Sequence, residues 1–189
     1  VRDTRKATKK KSENPFYSGS AENRIACGIL PLTLFSPYGR GVLKEDEKCV
    51  FTKNDLWSLG ISGENPIVAV ETDEKENTEG IIPYIRINKK LRNCGIKTDL
   101  AVIFNSEEKY LLPMTNSIKK SAEKEDCGLM IGVSGGVHII DKSLHSYSAM
   151  NALENSAVFY TDIRKNPPVK EKTRFRPVNI ICEKENKKK

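Results

Sequence analysis

"KTDLAVIFNS" (residues 97–106) decides the fold. Leu100 to Phe104 are all apolar, and Val102 and Ile103 are β-branched, so the run suits an extended chain covered on both faces. Upstream, Ile67 to Val70 form a second short apolar run of the same kind. Between the two lies "GIIPYIRINKKLRNCG" (80–95), which reads as a helix. Pro83 is best tolerated in a first turn, so this helix is expected to begin near Ile81 or Ile82, and Gly95 is placed to end it in a left-handed cap. Downstream, "YLLPMTNSIKKSAEKEDCG" (110–128) carries a helical stripe of Leu111, Thr115, Ile118 and Ala122. "GLMIGV" (128–133) reads as a third buried strand, Ser134-Gly135-Gly136 as a turn or bulge, and Val137 to Ile140 as another short apolar run. "DKSLHSYSAMNALENSAVFY" (141–160) reads as a helix with Asp141 or Ser143 at its N-cap.

Strands and helices that alternate in this way predict an α/β domain. The expected architecture is a small three-layer domain with a short, mainly parallel sheet of three to five strands flanked by helices and joined by right-handed crossovers. Outside that centre, residues 1–19 read as a flexible basic segment and 20–54 as a lead-in of helix and loop. In the lead-in, Ile25, Ile29 and Leu32 share a helical face and Pro31 is placed to bend or end the helix. Residues 36–56 read as a surface loop, 55–164 as the α/β domain, and 165–189 as a basic tail. Within the tail, "RFRPVNIIC" reads either as an edge strand or as the entry to a neighbouring domain.

The 189 residues are 38% hydrophobic, enough for one modest core and too few for a large barrel. No stretch approaches the roughly 20 apolar residues of a membrane helix, so no membrane segment is expected. The net charge of +7 sits largely in the Lys9–Lys11 and Lys187–Lys189 runs. Those runs lack interleaved aromatics, so they read as solvated tails and no nucleic-acid partner is expected. The five cysteines, Cys27, Cys49, Cys94, Cys127 and Cys182, contain no C-x-x-C pair, which argues against zinc and dithiol chemistry. Cys94 and Cys127 read as small buried or half-buried residues of a reducing compartment. No metal or cofactor is expected.

"LWSLGISGENPIVAVE" (56–71) resembles a segment of bacterial cyclic β-1,2-glucan synthases and the related 1,2-β-oligoglucan phosphorylases, relatives of cellobiose phosphorylase. Leu56, Trp57, Gly60, Ile61, Ser62, Gly63, Pro66, Ile67 and Val68 carry the pattern, and Glu64 stands where that family has Asp. Residues 91–120 and 134–160 are similar to the segments that follow, although the family's aromatic pair in the first helix is missing. In that family phosphorolysis belongs to a large helical barrel. The resemblance therefore implies a non-catalytic α/β module of a glycosyltransferase or glycoside phosphorylase. Its role would be structural brace or glucan-proximal accessory, with the neighbouring domains of the parent, and β-glucan, as partners. It also implies the bacterial cytoplasm, within a membrane-associated parent.

Six residues are candidates for a ligand or interface loop: Trp57, Ser62, Gly63, Glu64, Asn105 and Ser134. The Gly-Ile-Ser-Gly loop precedes a strand, whereas phosphate-cradling loops follow one, so it reads first as a tight turn and second as a sugar or phosphate contact. Trp57 reads as a packing anchor or a sugar-stacking face. Asn105, Ser106 and Ser134 are placed at strand carboxyl ends, where open α/β sheets bind ligands, and that placement supports the alternative of an independent small enzyme or nucleotide binder. His138 and His145 read as structural, with Asp141 within reach. Glu64, Asp73, Glu74, Asp99, Glu107 and Glu108 read mostly as solvated surface, so no catalytic residue is assigned.

Overall fold

The computed structural model describes residues 21–35, 53–72, 78–106 and 113–165. Helix α1 (Ala21–Phe35) and the short α2 (Lys53–Trp57) precede β1 (Ile67–Glu71). Then follow α3 (Thr78–Asn93), β2 (Asp99–Phe104), α4 (Pro113–Lys124), β3 (Val137–Asp141), α5 (Tyr147–Ser156) and β4 (Ala157–Asp162). The strands form one sheet in the order β3-β2-β1-β4, and every pairing is parallel. This is the expected α/β class. No described helix is long and apolar enough to cross a membrane.

Handedness explains the layering. The chain steps outward from β1 to β2 to β3 through α3 and α4, and α5 then carries it back to place β4 beside β1. Right-handed crossovers put the helices of the outward steps on one face and the return helix on the other. Accordingly Val68, Val70, Leu100, Val102, Phe104 and Val137 pack with α3, α4 and the buried side of α1. Ile67, Ala69, Ala101, Ile103 and Ile140 pack with α5 and the Leu56–Ile61 segment. Alternate residues of each strand thus serve two separate cores, which is why β2 is buried along its whole length.

Helix ends are set by backbone geometry. After α3, the Ile96 N–H donates to Leu91 O at 2.9 Å and the Gly95 N–H to Arg92 O at 2.9 Å. This is a Schellman cap, and Gly95 supplies its left-handed residue at φ +82°. The same pattern closes α2 through Gly60 and Ile61, and α4 through Asp126 and Cys127. At Gly136 the reason for glycine is close approach, because an added Cβ would lie 2.0 Å from Met130 O.

Several expectations are corrected. "GLMIGV" is not a strand: residues 128–130 form a 3-10 turn, Ile131 makes one isolated bridge to Val137, and Leu129 is 95% exposed. Only Met130 and Ile131 of that run touch the core, and the third strand is Val137–Asp141. The segment expected as one helix over 141–160 is a 3-10 turn capped by Asp141, then α5 capped by the Ser146 hydroxyl, then β4. Helix α3 starts at Thr78 with Pro83 inside it. The ring removes the single bond that would run to Glu79 O, and burial of Ile81, Tyr84 and Ile85 outweighs that loss. Helix α1 likewise continues through Pro31, which lies exposed with Cys27, where water can serve the freed carbonyl. Its buried positions are Asn23, Ala26, Ile29 and Thr33, so Leu32 points outward. Residues 53–56, expected as loop, open α2. Cys94 is exposed, whereas Cys127 is buried. The basic runs, most of the 36–56 loop, Leu111, Cys49, Cys182 and "RFRPVNIIC" lie outside the described residues.

Candidate functional site

In a parallel sheet all carboxyl ends share one edge, and a crevice forms there where the strand order reverses. Here the reversal lies between β1 and β4. β1 ends in Glu71, β3 in Asp141 and β4 in Asp162, while β2 runs on into Asn105 and Ser106. Of the three residues that the sequence places at strand carboxyl ends, Asn105 and Ser106 lie there and Ser134 does not. The missed signal was that the apolar runs "IVAVE" and "VHIID" each close on an acid.

All three carboxylates are engaged. Glu71 takes the Lys142 ammonium at 2.8 Å, the Arg164 guanidinium at 2.8 Å and the Tyr160 hydroxyl. Arg164 also grips Asp162 through Nε at 2.7 Å and Nη2 at 2.8 Å, and its backbone N–H donates to the same carboxylate at 3.0 Å. Asp141 accepts the Ser106 N–H at 3.2 Å, the Ser143 N–H at 2.9 Å, the Ser143 hydroxyl at 2.8 Å and the Ser106 hydroxyl. Burial alone would raise Glu71, but its bonds from Lys142 and Tyr160 and the Lys142 and Arg164 charges prevail, so it titrates below the usual carboxylate value. Burial also opposes ionisation of Asp141, and the four bonds from Ser106 and Ser143 again win. The Arg164 hydrogen bond, above all, holds Asp162 far down. The Tyr160 hydroxyl is pushed well up by burial and by donation to Glu71.

Chemically this is a set of clasps. A general acid needs a raised pKa, and a general base needs a free lone pair aimed into a cleft. These three carboxylates are held ionised, and their oxygens are spent on the chain's own donors, which ties the end of β1 to residues that follow β3 and β4, and the end of β3 to Ser106 after β2.

The amino edge carries a second polar cluster. Asp99, expected as surface, is fully buried at the start of β2. It accepts the Gly135 N–H at 2.6 Å and the Asn65 amide at 3.3 and 3.4 Å, and faces His138 Nε2 at 3.3 Å. His138 therefore pairs with Asp99 rather than Asp141. Asn65 reaches on to the Ser134 hydroxyl at 2.9 Å. Ser134 was placed at a strand carboxyl end because "GLMIGV" read as a strand; it precedes β3 and belongs to the amino edge.

The GISGEN turn sits at that same edge, ahead of β1. The indole N–H of Trp57 donates to Ser62 O at 3.3 Å, which holds the ring while leaving the residue 58% exposed. Ser62 Oγ accepts the Glu64 N–H at 3.3 Å. Gly63 sits at φ +73°, with the place of a Cβ 3.2 Å from Leu56 Cδ1, and Glu64 is exposed. Of the six candidates, then, Trp57, Ser62, Gly63, Glu64 and Ser134 lie at the amino edge, and Asn105 stands exposed at the opposite one.

Among the described residues no three His, Cys, Asp or Glu side chains gather as a metal set, and no buried side-chain nitrogen or oxygen lacks a hydrogen-bond partner. Comparison with protein-family models, with curated proteins and with solved structures finds no match to this chain.

Proposed function

We propose that the chain is a non-catalytic α/β module of a bacterial enzyme that handles β-1,2-glucan, of synthase or phosphorylase type, working in the cytoplasm as a brace between neighbouring domains or as a glucan-proximal accessory. The observation that carries the non-catalytic part is the saturation of Glu71, Asp141 and Asp162 at the edge where an α/β enzyme keeps its chemistry. The carbohydrate part rests on the resemblance of residues 56–71. Two measurements test it. The purified chain with linear β-1,2-glucan and phosphate should release no sugar phosphate, and turnover above a blank would overturn the reading. Trp57 is the only tryptophan, so its emission reports on the GISGEN turn. A saturable change with added glucan supports the accessory role, and no change supports the brace.

The second reading is a nucleotide binder, and the reversal of strand order between β1 and β4 favours it. It predicts that a nucleotide raises the melting temperature, and that Arg164→Ala abolishes the rise.

A further inference from the structure

We infer that α1 is a releasable cap, latched onto the domain by Arg86 and separable from it while the sheet stays folded. This conformational device goes beyond the proposed function and does not depend on it. Three helices, α1, α3 and α4, lie on one side of the sheet, with α3 in the middle. Helices α3 and α4 are crossovers, so the sheet cannot be wired without them. Helix α1 is part of no crossover and joins the rest through residues 36–52.

Its apolar anchor is small. Ala26 and Ile29 are its buried hydrophobic residues, alongside the polar Asn23 and Thr33, with Ile25 and Leu30 packed half-buried beside them, whereas α3 buries Ile81, Tyr84, Ile85, Ile87 and Leu91. A small gap remains between Ile29 and the residues beneath it, among them Val68, Ile87 and Leu100. Gly28 and Pro31 also weaken α1 as a helix in its own right.

Ion pairs complete the attachment. Arg86 stands on the outer side of α3 and clasps Glu125, beyond the end of α4, through Nε at 2.7 Å and Nη2 at 2.8 Å. Its Nη1 reaches across to Glu22 of α1 at 2.8 Å. Lys90, one turn further along α3, takes the other Glu22 oxygen at 3.2 Å. One guanidinium thus ties the helices on either side of it: its bidentate grip on Glu125 fixes the guanidinium, and the single Nη1 arm, backed by Lys90, holds Glu22 of α1. Release of α1 uncovers the apolar residues beneath Ile29, Tyr84 of α3 among them, next to the β4 edge that α1 also contacts.

The test is amide hydrogen exchange on the full chain under native conditions, comparing α1 with β2. Amides of α1 should exchange at least about tenfold faster than those of β2, as expected of a sub-global opening. Arg86→Met keeps the side-chain stem and removes the guanidinium arm, leaving Lys90 on Glu22. Glu22→Gln removes the charge that both Arg86 and Lys90 hold on α1 and leaves the Arg86–Glu125 clasp intact, so it reads the latch even if Arg86→Met disturbs α4. Each should speed exchange in α1 by about three- to tenfold and leave β2 unchanged. Equal protection of α1 and β2 in the parent chain overturns the inference. So does acceleration of α1 and β2 together by Glu22→Gln, or no acceleration of α1 by either variant.

Discussion

Asp99→Ala should be among the most damaging single substitutions in this chain. The carboxylate is fully buried, and it is the acceptor for the Gly135 N–H at 2.6 Å and for the Asn65 amide, and the partner of the His138 ring. Removing it leaves the Gly135 amide and the imidazole, both buried, without that partner. An unsatisfied buried polar group costs roughly 1–3 kcal/mol, so two together should cost about 2–6 kcal/mol. That is a large share of the roughly 5–15 kcal/mol that holds a typical domain together. With a urea m-value of about 1.5 kcal/mol/M, the midpoint should fall by roughly 1.3–4 M. Far-UV circular dichroism reads that midpoint directly. Asp99→Asn keeps one acceptor oxygen for Gly135 and should lose about half as much. A midpoint for Asp99→Ala within about 0.3 M of the parent would refute the reasoning, because the turn over residues 132–136 would then be held by something other than this carboxylate.

Gly136→Ala should cost about 3 kcal/mol, since the new methyl would meet Met130 O at 2.0 Å, and calorimetry should show a melting temperature lower by more than ten degrees or so. Gly95→Ala strains the α3 cap and should cost about 1 kcal/mol by the same measurement. Acid should destabilise the fold through Glu71, Asp141 and Asp162. Their folded pKa values lie below the ordinary 4.5 and 3.8, so their contribution is complete above about pH 5 and is lost as the pH falls through the folded values. A urea midpoint that stays level from pH 5 down to pH 2.5 would contradict that. Trp57→Ala should change stability by less than about 1 kcal/mol, because the ring is mostly exposed and its one hydrogen bond is long.

Legibility in the sequence followed the balance between local and distant forces. β1 and β2 were readable because both faces of each are buried, which leaves unbroken apolar runs such as Leu100–Phe104. β4 was hidden because "AVFY" follows an Ala-rich helix directly, and only pairing with β1 makes it a strand. "GLMIGV" misled for the opposite reason: its composition suits a strand, but Gly132 and Gly135 adopt left-handed conformations and turn the chain before a strand can form. Pro31 and Pro83 read as helix boundaries from local cost alone, and tertiary burial overrode both. At the site, the turn character of Gly60 and Gly63 was visible. The strand-end acids needed exact strand ends, and the role of Asp99 needed β3, which lies some forty residues further along.

The position of β4 bears on how the protein is made. Synthesis delivers β1, β2 and β3 in the order in which they lie side by side, yet the neighbour on the other flank of β1 is the last of the described strands to leave the ribosome. Until residues 157–162 emerge, β1 presents an open hydrogen-bonding edge with apolar faces, the condition under which nascent chains recruit chaperones or pair with each other. Nascent chains stalled before Ala157 should therefore cross-link to chaperones, and release of a few dozen further residues should end that contact.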